Sequence, residues 1–123
     1  MDRVLGVSAI YLALVGIGYL VVPDAIMFGT LGSSASPALV GEVRIVASGF
    51  LGIALLNWLA RGSEPSKARD AVVVANIVGF GLAAVLGLAA VATGAPIMEL
   101  VPTAIAVVLA VAFIWARRET AGS

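Results

Sequence analysis

The side chains able to do chemistry in this 123-residue chain are few. Glu42 and Arg44 stand near the start of one apolar stretch, Glu99 near the start of another, and Asn57 and Asn76 lie within apolar surroundings. A charge placed in hydrocarbon is costly unless it pairs, hydrates or reaches the interface. These positions are therefore where an ion pair, a ligand site or an ion pathway would be built. Glu42 and Arg44 are two positions apart and point in nearly opposite directions on a helix, which makes them poor partners for each other. Arg44 is expected to pair with Glu99 across a helix interface, with Glu42 towards the outer solution. The competing reading of the same three charges is a polar pocket or ion pathway that opens outwards. Asn57 and Asn76 would meet on adjacent antiparallel helices, as packing contacts or as contacts to a substrate.

Other chemistry is tightly bounded. The chain has no Cys and no His, so it cannot itself supply thiolate or imidazole metal ligands, a cysteine nucleophile, haem ligation by His or a Ser-His-Asp triad. No pair of carboxylates stands at a defined spacing. The sequence predicts no catalytic residue, no metal site and no cofactor, and hence a protein that is not an enzyme. The basic residues are few and dispersed beside apolar stretches, which argues against nucleic acid as a partner.

The elements that must position these residues follow from composition. Hydrophobic residues are 62% of the chain and charged residues 11%, a balance suited to lipid rather than water as solvent. Four apolar stretches, at about 4–22, 37–60, 68–92 and 96–116, approach or exceed the roughly 20 residues of a membrane-crossing helix and lack polar stripes. The predicted fold is all-α: one polytopic integral-membrane domain, an antiparallel four-helix transmembrane bundle, with no room for a separate catalytic domain. The first stretch is longer than a signal-peptide core and no small-residue cleavage site follows it closely, so it reads as a retained span. Arg3, Arg61, Lys67, Arg69, Arg117 and Arg118 all fall on one side of a chain that crosses four times, while 23–36 and 93–96 contain no Lys or Arg. The positive-inside rule then predicts that both termini and the middle connection are cytoplasmic.

Local signals refine this reading. Ser36 before Pro37 has the form of an N-cap followed by proline at the first helical position. Pro96 and Pro102 bracket the start of the last span, and Pro102 is alternatively placed to kink it. Gly29, Gly32, Ser33 and Ser34 predict a flexible outer connection with a short interfacial turn near Ile26-Met27-Phe28. Asp24 reads as part of a helix stop, and Tyr19 as a contributor to the outer polar surface. Ala75, Gly79, Ala83 and Gly87 recur every four residues and form a small-residue stripe that allows close helix approach, within the chain or between copies. Ser48 and Gly52 make a shorter pair of the same kind. Trp58 and Trp115 occupy positions suited to a cytoplasmic aromatic belt.

The order of a first span ending at Pro23, a Gly/Ser-rich outer connection, the entry Glu42-Val43-Arg44 followed by Ala47-Ser48-Gly49, and an Arg-containing middle connection resembles a widespread bacterial family of small four-span membrane proteins of uncharacterised function. The resemblance covers nearly the whole chain, rests mostly on Arg44 and the Gly49 region, and departs in a last span without internal Arg. It implies the four-span topology and carries no catalytic residue. Three classes of function follow from the residues. A noncatalytic membrane module, either an accessory subunit or a helical assembly factor, needs only packed spans, lipid, and a second copy or larger membrane partner. A transporter or channel formed by an oligomer needs a polar path near Glu42, Arg44 and Glu99. The chain departs from small multidrug exporters, because its first span has no embedded Glu. An enzyme acting on lipid or quinone is the least supported, for want of His, Cys and paired carboxylates.

Overall fold

The computed structural model describes residues 1–23 and 36–122. Within them the chain is helical, without a strand, and holds four helices long and apolar enough to cross a membrane. They are α1 (Asp2–Val21), α2 (Pro37–Ala60), α3 (Lys67–Ala92) and α4 (Leu100–Ala121), with a single 3₁₀ turn, Ile97–Glu99, leading into α4. This is the architecture of a multi-pass membrane protein. The expectations for Asp24, for the turn at Ile26-Met27-Phe28 and for Gly29, Gly32, Ser33 and Ser34 lie outside the described residues.

The helix ends are set by short-range hydrogen bonds. Ser36 Oγ accepts from the Leu39 amide at 3.2 Å, so the predicted N-cap is in place with Pro37 behind it. Ser66 caps α3 in the same manner, accepting from the Arg69 amide at 3.1 Å, and Asp70 lies in the first turn, where a carboxylate complements the helix dipole. At the other end of α3, Gly94 takes φ 109°. Its amide donates to Val91 O at 3.2 Å, while the Ala95 amide donates to Ala90 O at 2.9 Å. That is a Schellman closure, which needs a residue at ease in the left-handed region. Pro102 is the third residue of α4, in the turn whose amides have no partner within the helix, so it starts the helix rather than kinking it. α4 runs on through Arg117, Arg118 and Glu119 to Ala121, beyond the apolar stretch that ends near 116, because no breaker intervenes before Gly122.

The chain divides into two compact units. One comprises the described residues of Gly6–Leu59 and holds most of α1 with α2. Ser8, Ala9, Leu12 and Gly16 recur at helical spacing as the buried face of α1, and Ala47, Ala54 and Asn57 do the same in α2. Ser8 lies against Asn57, Gly16 against Leu51, and the Tyr19 and Phe50 rings stack with centroids 5.9 Å apart. Rising numbers on α1 meet falling numbers on α2, so the two helices run antiparallel. At Gly16 a Cβ would lie 2.9 Å from Leu51 Cγ and 3.3 Å from the Ala47 carbonyl oxygen, so glycine is what lets the helices approach there.

The second unit comprises Met1–Leu5 and the described residues from Ala60 onward, and is dominated by α3 against α4. Val73, Asn76, Phe80 and Ala84 form the buried face of α3, and Thr103, Ala106, Leu109, Ala110, Phe113 and Ala116 that of α4. Phe80 stacks on Phe113 at 6.2 Å, and Gly87 meets Thr103, which fixes an antiparallel hairpin. A Cβ on Gly87 would lie 3.0 Å from Thr103 Cβ and closer still to its hydroxyl, whose position is held by donation to Glu99 O at 2.6 Å. Overpacking of a tight contact costs about 1–3 kcal/mol. Gly87→Ala is therefore expected to lower thermal stability in detergent by about that amount, Thr103→Ala in the same chain to restore most of it, and Gly81→Ala, whose Cβ would meet open space, to cost nothing.

Candidate functional site

The polar residues singled out from sequence fall in both units, Glu42, Arg44 and Asn57 in the first and Glu99 and Asn76 in the second. Glu42 and Arg44 are exposed on the early turns of α2, in the first unit. Glu99 is half-buried and closes the 3₁₀ turn of the second unit: its amide donates to Pro96 O at 3.0 Å and its carbonyl accepts from Thr103. Asn57 is fully buried, and its Nδ2 donates to Ser8 Oγ at 3.0 Å. Asn76 is buried on α3, and its Nδ2 donates one turn back to Val72 O at 2.8 Å. In the small-residue stripe only Gly87 packs against a neighbour within its unit. Ala75, Gly79 and Ala83 are exposed, and so are Ser48, whose hydroxyl donates to Ile45 O at 2.6 Å, and Gly52. The face of α3 that packs on α4 is offset from the stripe and carries Val73, Phe80 and Ala84.

The densest polar arrangement lies elsewhere, where α3 begins and α4 ends. Arg117 grips Asp70 with both arms of its fork: Nε to Oδ1 at 2.7 Å and Nη2 to Oδ2 at 2.9 Å. Such bidentate pairing fixes the plane of the guanidinium. One helical position before Asp70, Arg69 donates from Nη1 to Ser63 O at 2.9 Å and from Nη2 to the Asp2 carboxylate. The Arg69 side chain is 12% exposed, and its Nε is buried without an acceptor, alone in this among the polar side-chain atoms of the described residues. Arg118, on the next position of α4, is exposed and has no carboxylate partner among the described residues.

These arginines border a cavity of about 770 Å³ whose apolar wall includes Val73, Ile77 and Ile114. Guanidinium groups at a cavity rim offer N–H donors to an oxyanion, while aliphatic side chains below them offer surface to hydrocarbon. Among the described residues no group of three or more Asp and Glu is placed to hold a metal ion.

From the sequence, Arg69, Arg117 and Arg118 read as markers of sidedness, and Asp2, Asp70 and Ser8 are not singled out. The available signal was the presence of Asp2 and Asp70 among basic residues assigned to one side, since acidic and basic groups confined to the same helix ends will meet. Ser8 had no such signal, because a lone serine in an apolar run is unremarkable until the α1–α2 register is known. No protein-family model, no curated protein and no solved structure matches this chain.

The Ser8–Asn57 contact sets a measurable scale for polar packing. Interhelical hydrogen bonds in lipid average about 0.6 kcal/mol with an upper range near 1.7. A double-mutant cycle of Ser8→Ala and Asn57→Ala, read by unfolding in mixed micelles, is expected to return a coupling inside that range, with Asn57→Ala alone costing more because it also leaves a gap in a buried site.

Proposed function

We propose that this chain is a noncatalytic integral-membrane module that crosses the bacterial inner membrane four times, keeps both termini and the middle connection in the cytoplasm, and works in association with a second copy or a larger membrane protein. The observation that carries the reading is how buried polarity is used. Asn57 is committed to Ser8, Thr103 to the carbonyl of Glu99 and Asn76 to that of Val72, while the outward helix surfaces present side chains such as Leu14, Leu55, Val85 and Val108. That division suits a protein whose task is to be present and packed in a membrane. The sidedness is supported by the basic residues clustered at one end of the second unit. Association is supported by the exposed small residues Ala75, Gly79 and Ala83, which permit close approach of another helix.

The absence of native Cys makes single-cysteine mapping clean. In intact cells, Cys introduced at Gly62 and at Gly122 is expected to resist a membrane-impermeant maleimide until the membrane is opened, and Cys at Thr93 to react from outside. The reverse pattern would overturn the orientation. The transporter reading is tested separately in proteoliposomes. Glu42→Gln, Arg44→Ala and Glu99→Gln are expected to leave assembly and ion leak unchanged, and an ion flux abolished by these variants in a folded protein would replace the module with a transporter.

A further inference from the structure

Three features of the cavity between the start of α3 and the end of α4 converge on one class of ligand. The first is open donor capacity: Arg117 has Nη1 left after gripping Asp70, and Arg118 is exposed and without a carboxylate partner among the described residues. The second is charge. Arg69, Arg117 and Arg118 line the cavity with Asp70 as the carboxylate among its lining residues, and Asp2 pairs with Arg69 from beside it, so the rim is net positive and suits an anion. The third is the wall: Val73, Ile77 and Ile114 continue from the charged rim along the apolar parts of the two helices. A soluble anion has no use for such a wall, whereas a lipid has an anionic head and hydrocarbon directly below it. Basic pockets between membrane helices on the cytoplasmic side suit headgroups of this kind.

We infer that this cavity binds the phosphate headgroup of an anionic phospholipid, with the phosphate on Arg117 and Arg118, the covered charge of Arg69 beside them, and an acyl chain along Ile77 and Ile114. The inference rests on the proposed placement of this end of the helices at the cytoplasmic face. The Asp70–Arg117 pair positions the guanidinium fork, and Arg118 supplies the uncommitted charge.

Native mass spectrometry of the full chain in detergent, titrated with phosphatidylglycerol, phosphatidylcholine or inorganic phosphate, tests it. Phosphatidylglycerol is expected to bind best. A hydrogen-bonded charge lost from the site corresponds to about a tenfold weakening, which is the expectation for Arg118→Gln, a change that disturbs no ion pair within the described residues. Ile114→Trp, which fills the apolar wall and leaves charge untouched, is expected to weaken binding as well. Arg3→Gln, an arginine of the same end that does not line the cavity, is expected to leave binding unchanged. Equal weakening by Arg3→Gln and Arg118→Gln would reveal diffuse attraction and overturn the site. Full binding by Ile114→Trp, or inorganic phosphate competing as well as the lipid, would overturn the lipid as occupant. Cysteine mapping reads the orientation independently, so an inverted topology removes the module's sidedness, while lost lipid selectivity in a correctly oriented protein removes only this site.

Discussion

Hydrocarbon offers no hydrogen bonds, and that single constraint organises this protein. Every amide, carbonyl, hydroxyl and carboxamide carried into the apolar zone must find its partner within the chain. Helices satisfy the backbone except at their ends, where the four leading amides and four trailing carbonyls are left over. The ends are where this sequence places its specialised residues: Ser36 and Ser66 as N-caps, Gly94 in a left-handed closure, and Pro102 in a turn that needs no amide. Side chains obey the same rule. Thr103 returns its hydroxyl to the preceding turn, Asn76 does likewise with its amide, and Asn57 finds Ser8 on the other helix of its hairpin.

Once polar groups are closed, helix association depends on how near two backbones can come. Within each unit one glycine marks the closest approach described, Gly16 beneath Leu51 and Gly87 beneath Thr103. An aromatic pair fills the separation elsewhere along each hairpin, Tyr19 with Phe50 and Phe80 with Phe113. In lipid, where apolar burial gives little net drive, packing contacts and a few hydrogen bonds carry association. A glycine opposite a branched side chain and an aromatic pair further along the same interface are two ways of gaining such contacts.

This explains which parts of the structure could be read from sequence. The four helices were legible because length and hydropathy alone decide a crossing, and the Ser36 cap was legible because its chemistry is local. The packing faces were not. In water, a buried face is betrayed by polar residues on the opposite side, but here both sides of a helix are apolar and the periodic signal disappears. Small residues recur every four positions at Ala75, Gly79, Ala83 and Gly87, yet the face that meets α4 runs through Val73, Phe80 and Ala84, with Gly87 alone shared. The Asp70–Arg117 pair was hidden for a related reason: 47 residues separate its members, and only the α3–α4 register brings them together.

The charged end of the second unit obeys a different economy from the apolar interior. Exposed ion pairs are screened and lose side-chain entropy on forming, so they add little to stability. The Asp70–Arg117 pair is better understood as orientation: two parallel bonds hold a guanidinium plane that a single contact would leave free to turn. Arg69 makes the contrast sharper. Two of its nitrogens are bonded and its side chain is largely covered, yet its Nε is left buried without an acceptor. A buried donor left unmet costs free energy that an apolar side chain in its place would not. What that arrangement secures is position: the Arg69 guanidinium ties the Ser63 carbonyl and the Asp2 carboxylate to the start of α3, beside the cavity that Arg117 and Arg118 also border.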